Sequence, residues 1–131
     1  MIESAREFVR LRTSEIPSEY NRAASEPATL DVWLDVIRDY PEMTSWVVHN
    51  KTVPLEVLAL MAQSRDPRLR RDVAMKRKLS PSLFALLGAD EDETVRATIA
   101  RNRRCPADVL ARMRTDSCPL VSAAACRAGD A

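Results

Sequence analysis

The chain has 131 residues, 46% apolar and 30% charged, which suits one globular domain with a continuous core and excludes a disordered chain. Only two Gly and two Phe occur, no run alternates β-branched with polar residues, and no apolar run approaches membrane-spanning length, so the composition predicts an all-α fold in the cytoplasm, with no membrane partner. The net charge of +1 conceals a dipole: residues 1–64 carry 6 basic and 10 acidic side chains, residues 65–114 carry 13 and 7, and residues 115–131 carry 1 and 2.

From Ser4 to Arg12, Ala5, Phe8, Val9 and Leu11 form an apolar face at helical spacing. Thr13-Ser14 and Ile16-Pro17 break it, and Ser18 is placed to cap a short helix over 19–24. After Ser25-Glu26-Pro27, Leu30, Trp33, Leu34 and Ile37 recur at i, i+3, i+4 and i+7, which predicts an amphipathic helix over 28–39. Residues 1–38 read as a helical N-terminal cap with a degenerate first repeat.

From Tyr40 to Cys126 the sequence repeats every 26 residues. Met43, Leu69, Val95 and Val121 share a column, as do Val47, Val73, Ile99 and Ala125. Val57-Leu58, Leu83-Phe84 and Val109-Leu110 align likewise, followed by Met61, Leu87 and Met113. At 46% apolar residues a three-copy apolar column arises by chance about one time in ten, so five columns at one period point to stacked two-helix units. The units run 39–65, 66–91 and 92–116, and 117–131 supplies a half-repeat cap to a single domain of residues 1–131. Pro41 and Pro67 suit helix first turns, and Asp66 and Asp92 suit N-caps. Arg70 and Arg96, four residues on from those acids, are spaced for an ion pair on the same face.

Asp66-Pro67-Arg68-Leu69-Arg70, Val73-Ala74, Ile99-Ala100-Arg101-Asn102, Pro106 with Val109-Leu110, and the turn His49-Asn50-Lys51-Thr52-Val53-Pro54 resemble the bacterial leucine-rich repeat variant, a relative in shape of HEAT-like helical repeats. Over about residues 40–126 the resemblance implies a short right-handed α-solenoid whose first helices are α or 3₁₀. One architecture of that family adds a cysteine-rich iron–sulfur segment. Here Cys105, Cys118 and Cys126 form no such cluster and, with one His in the chain, no zinc spacing, so no metal and no cofactor are expected.

The functional residues follow from the stacking. Lys51, Arg77 and Arg103 share one repeat position, Thr52, Lys78 and Arg104 share the next, and Lys76 and Arg101 lie beside them. Stacked units superimpose equivalent loops, so these cations are expected along one edge. There they either serve as a solvated face or meet an anionic partner, an acidic protein or a phosphate backbone. Trp46 occupies a column with Asp72, Thr98 and Ala124 that is not a core column, and Trp46 with Asp72 is a candidate patch unless Trp46 packs on the N-terminal cap. Asn50 and Asn102 read as turn residues bonded to adjacent backbone. No Gly-rich phosphate loop, GxSxG, HExxH or Cys–His pairing marks catalysis. The sequence therefore predicts a non-enzymatic scaffold, an adaptor or immunity-like protein that binds a protein partner, as a monomer or weak homodimer, with nucleic-acid binding through the same edge as the alternative.

Overall fold

The computed structural model describes residues 1–129, and Asp130 and Ala131, at the end of the expected half-repeat, lie outside the described residues. Among the described residues the fold is all-α. Ten helices follow one another: α1 (Ala5–Arg12), α2 (Pro17–Ser25), α3 (Leu30–Asp39), α4 (Thr44–His49), α5 (Leu55–Met61), α6 (Pro67–Ala74), α7 (Pro81–Gly88), α8 (Glu93–Arg101), α9 (Ala107–Met113) and α10 (Pro119–Gly129). A 3₁₀ turn, Pro41–Met43, leads into α4, whereas α6 and α8 are α-helical from their first residues. Among the described residues the single β feature is an isolated bridge between Ile2 and Ala28. No described helix is long and apolar enough to cross a membrane. The chain forms two compact units, Met1–Met61 and Ala62 onward.

In the first unit, α1 packs on α2 and α3, and α3 packs on α4 and α5. The core is built from Phe8, Leu11, Trp33, Val36, Val47, Val48 and Val57, all fully buried. Phe8 and Trp33 meet edge to face, 5.3 Å between centroids at 82°, a pairing worth about 0.5–1.5 kcal/mol beyond its buried area. Among the described residues the Trp33 indole N–H finds no acceptor, at a cost of roughly 1–3 kcal/mol. Two expectations change here. Helix α2 starts at Pro17, whose fixed φ and missing N–H suit the first turn, so Ser18 lies inside the helix and does not cap it. Helix α3 buries Val32, Trp33 and Val36, leaves Leu30 exposed, and half-buries Leu34 and Ile37, because Trp33 turns its face towards Phe8.

In the second unit, α6 packs on α7 and α8, α7 on α8 and α9, and α10 on α8 and α9. Val73, Ile99 and Ala125 are fully buried, as are Ala74 and Ala100, with Leu83, Leu87, Val109 and Met113 also in the core. Gly88 permits a close approach, since a Cβ there would stand 3.1 Å from Val109 Cγ1. Along the whole chain the 3₁₀ turn at Pro41 and helices starting at Pro67, Glu93 and Pro119 are spaced by 26 residues, and so are the starts at Leu55, Pro81 and Ala107.

Asp66 and Asp92 cap their helices as expected: Asp66 accepts the Arg68 N–H at 2.9 Å, and Asp92 accepts the Thr94 N–H at 2.7 Å. Their expected partners go elsewhere. Arg70 donates through Nε and Nη2 to both oxygens of Asp90, at 2.8 and 3.1 Å, and through Nη1 to the Ser64 carbonyl at 2.8 Å. Arg96 repeats the pattern with Asp116, at 2.9 and 3.2 Å, and with the Asp90 carbonyl at 2.8 Å. The cap carboxylates are turned towards their own helix amides, and a guanidinium fork is best satisfied by a carboxylate that offers both oxygens. Asp90 and Asp116 further accept the N–H of Asp92 and Cys118, so each clamp also shapes the turn that follows it.

The asparagines form a second set of ties. Asn50 donates its amide to the carbonyls of Ala23 and Glu26, and Asn102 donates to those of Ala74 and Lys76, at 2.8–3.1 Å. Their side-chain oxygens accept the N–H of Thr52 and Arg104. They are turn residues as expected, and they also bind backbone more than twenty residues upstream.

Replacing Asn102 with Ala should destabilise by about 1–3 kcal/mol in urea melts, because two carbonyls and the Arg104 amide lose their partner. Asp116 carries a pH dependence. Burial alone raises its pKa, but the bonds from Arg96 and the Cys118 amide outweigh burial and hold it below the ordinary carboxylate value. A depressed folded pKa gives stability that is present above the unfolded value, about 3.9, and lost as the pH falls through the folded value. Asp116→Ala should therefore lose about 3–5 kcal/mol near neutral pH by stranding Arg96. The same variant should show a flatter loss of stability below about pH 4 than the wild type.

Candidate functional site

Helix α8 ends at Arg101, where Asn102 leaves helical geometry with ψ near 122° and its side chain ties the turn back to the end of α6. This anchoring fixes a loop in which Arg101, Arg103 and Arg104 are all exposed. Opposite, α6 ends at Ala74 and the chain continues through Met75, 58% exposed, to Arg77 and Lys78, also exposed. Between these segments lies a depression of about 390 Å³ lined by Met75, Arg77, Thr98, Arg101, Asn102 and Arg103. A larger hollow of about 760 Å³ shares Arg101, Asn102 and Arg103 and adds Cys105, Leu110, Ala124 and Arg127.

Two sets of arginines in this unit contrast. Arg70 and Arg96 are mostly buried and bound to carboxylates. Arg77, Arg101 and Arg103 have no carboxylate within ion-pair distance among the described residues. Three guanidiniums around one concavity, each offering a planar fork of donors, suit carboxylates or phosphates.

The remaining expected residues fall as follows. Lys78 and Arg104 are exposed in the same loops, outside the walls of both hollows. Lys76 is half-buried and is not a freely solvated cation: burial lowers its pKa, and its backbone carbonyl holds the Asn102 amide. It stands 26 residues from both Asn50 and Asn102. Lys51 is exposed but belongs to the first unit, where its N–H bonds the Ala24 carbonyl. Trp46 and Asp72 lie in different units. Trp46 is 44% exposed, with the Arg12 guanidinium 3.9 Å from its ring centroid and His49 tilted beside it. Arg12 also lies over Tyr20, so Trp46 packs on the N-terminal helices through a cation–π contact.

Cys105 and Cys118 are buried and Cys126 is exposed. Burial pushes the Cys105 thiol up to about 11, with Asp108 adding to the shift, so no thiolate stands in the larger hollow at neutral pH. Among the described residues no group of His, Cys, Asp and Glu is arranged to hold a metal ion. Met75, Thr98 and Arg127 were not singled out in the sequence, although Met75, Arg101 and Arg127 are spaced by 26 residues. No family model, curated protein or solved structure matches the chain.

The division among the arginines is testable by stability alone. The triple variant Arg77→Ser, Arg101→Ser, Arg103→Ser should unfold within about 0.5 kcal/mol of wild type in urea, as exposed side chains do. Arg96→Ser should cost several times more, since it strands Asp116.

Proposed function

We propose that the chain is a short right-handed α-solenoid of the leucine-rich-repeat-variant or HEAT-like kind, acting as a non-catalytic scaffold for an acidic protein partner. In this reading residues 1–38 cap the stack, 39–65, 66–91 and 92–116 are its repeats, and 117–131 close it. Helix starts spaced by 26 residues support it, as do the Arg–Asp clamp and the Asn tie, each occurring twice at equivalent positions.

The observation that carries the binding reading is the cluster of Arg77, Arg101 and Arg103 around one concavity, with no carboxylate of the described chain to neutralise it. Exposed guanidiniums speed association with an anionic partner and orient it. The neighbouring Met75 and Thr98 give this partner apolar and hydroxyl contacts besides charge. A protein fits better than nucleic acid because no aromatic side chain lines either hollow to stack a base, and the net charge is only +1. A bacterial, cytoplasmic adaptor or immunity-like role, as a monomer or weak homodimer, accords with a small scaffold that has one charged edge.

The test compares poly-glutamate with single- and double-stranded DNA and RNA by fluorescence anisotropy, at low and moderate salt, for wild type and the triple arginine variant. Poly-glutamate should bind, more tightly than any nucleic acid, with affinity falling at least tenfold in the variant. Tighter binding of nucleic acid, with a steep salt dependence abolished by the same substitutions, would replace this reading with phosphate-backbone binding.

A further inference from the structure

We infer that the acidic partner met by Arg77, Arg101 and Arg103 is a second copy of this chain, which docks through the outer face of α3. This deepens the proposed function and rests on it. The charge separation in the sequence follows the two compact units. Residues 1–64 carry 10 acidic and 6 basic side chains, whereas residues 65–114 carry 7 and 13. Each copy thus displays both an acidic and a basic surface. With a net charge of only +1, two copies gain from pairing these surfaces and lose little to overall repulsion.

One helix builds the acidic face. Asp31, Asp35 and Asp39 recur at i, i+4 and i+8 along α3, on the side away from the buried Val32, Trp33 and Val36. Glu42 is exposed in the 3₁₀ turn that follows. Arg38 is the one basic residue of α3. It lies 2.9 Å from Asp35 Oδ1 and donates to both oxygens of Asp39, so four carboxylates share one guanidinium. Asp31 and Glu42 have no cation within ion-pair distance among the described residues. At 1.5 Å of rise per residue the three aspartates stand about 6 Å apart and span about 12 Å. Arg77 and Arg103 follow α6 and α8, which pack side by side, and helices in contact lie about 8–10 Å apart. The two sets of charges therefore extend over similar lengths, and more than one carboxylate can meet a guanidinium at once. Both sides are already ordered, α3 as a packed helix and the Arg103 turn through its Asn102 tie, so docking costs little ordering.

The experiment is sedimentation velocity on the full chain over a range of concentrations, at about 50 mM and about 300 mM salt. The apparent mass should rise with concentration at low salt and return to that of a monomer at the higher salt. Poly-glutamate, which competes for the same arginines, should also return it to the monomer. Arg77→Glu, Arg101→Glu, Arg103→Glu in one variant and Asp31→Lys, Asp35→Lys, Glu42→Lys in another should each weaken self-association at least tenfold. Mixing the two charge-reversed variants should restore association, a recovery that damage to either fold would not produce. A chain that stays monomeric throughout, while binding poly-glutamate through Arg77, Arg101 and Arg103, would overturn the second copy as partner and leave the proposed function standing. Self-association that survives either set of reversals would overturn it as well. A monomer that also fails to bind poly-glutamate would overturn both readings.

Discussion

In the second unit, the geometry of the loops depends on two ion pairs that lie almost out of water. Arg70–Asp90 and Arg96–Asp116 are each two-pronged, and each guanidinium spends its remaining terminal nitrogen on a backbone carbonyl of the preceding junction. Burying such a pair adds little net stability, because desolvation cancels most of the attraction. What the arrangement contributes is definition. A planar fork accepts only a narrow range of carboxylate positions, and the same carboxylates receive the amides of Asp92 and Cys118. The start of each following helix is thereby located relative to the helix that carries the arginine.

The asparagines complete that definition at the opposite ends of the helices. Asn102 fixes the exit of α8 against the exit of α6, and Asn50 does the same in the first unit against the Ala23–Glu26 segment. Between them in sequence, the equivalent position holds Lys76, which has neither the geometry nor the acceptor oxygen of an amide. The connection from α6 to α7 is therefore the one that departs from the pattern. It is also where Met75 and Arg77 enter the wall of the smaller hollow.

The apolar columns were legible in the sequence because most of their positions are buried, although Met43, Leu69 and Leu110 are only half-buried. Val47, Val73, Ile99 and Ala125 are all inaccessible, and the expected N-caps Asp66 and Asp92 are in place. What misled was reasoning within a single helix. Spacing alone paired Arg70 with Asp66 and Arg96 with Asp92, whereas the true acceptors lie twenty residues on. Asp90 and Asp116 are themselves 26 apart, as are Arg70 and Arg96, so the polar columns carried the signal that the local spacing obscured. Helix α3 misled for a related reason: an i, i+3, i+4, i+7 pattern gives the width of an apolar stripe, while the Trp33–Phe8 contact decides its orientation. In the candidate site the loop cations were legible, but the hollows themselves were not, because a concavity arises from backbone paths that no column records.

One residue type has two opposite fates in this chain. Arg70 and Arg96, on helical faces, each meet a backbone carbonyl of the preceding junction and a carboxylate twenty residues on. An arginine at a loop position recurs against solvent, where nothing in the fold constrains its partner. Arg96 and Arg101 are five residues apart on one helix, yet the first is consumed by Asp116 and the second faces a hollow. Exposed guanidiniums gain little from one another and repel at short range, so three around one concavity are a small electrostatic cost to the free chain. In the proposed reading an incoming carboxylate would relieve that cost and add its own hydrogen bonds, so the same contacts would be more favourable here than around a single cation.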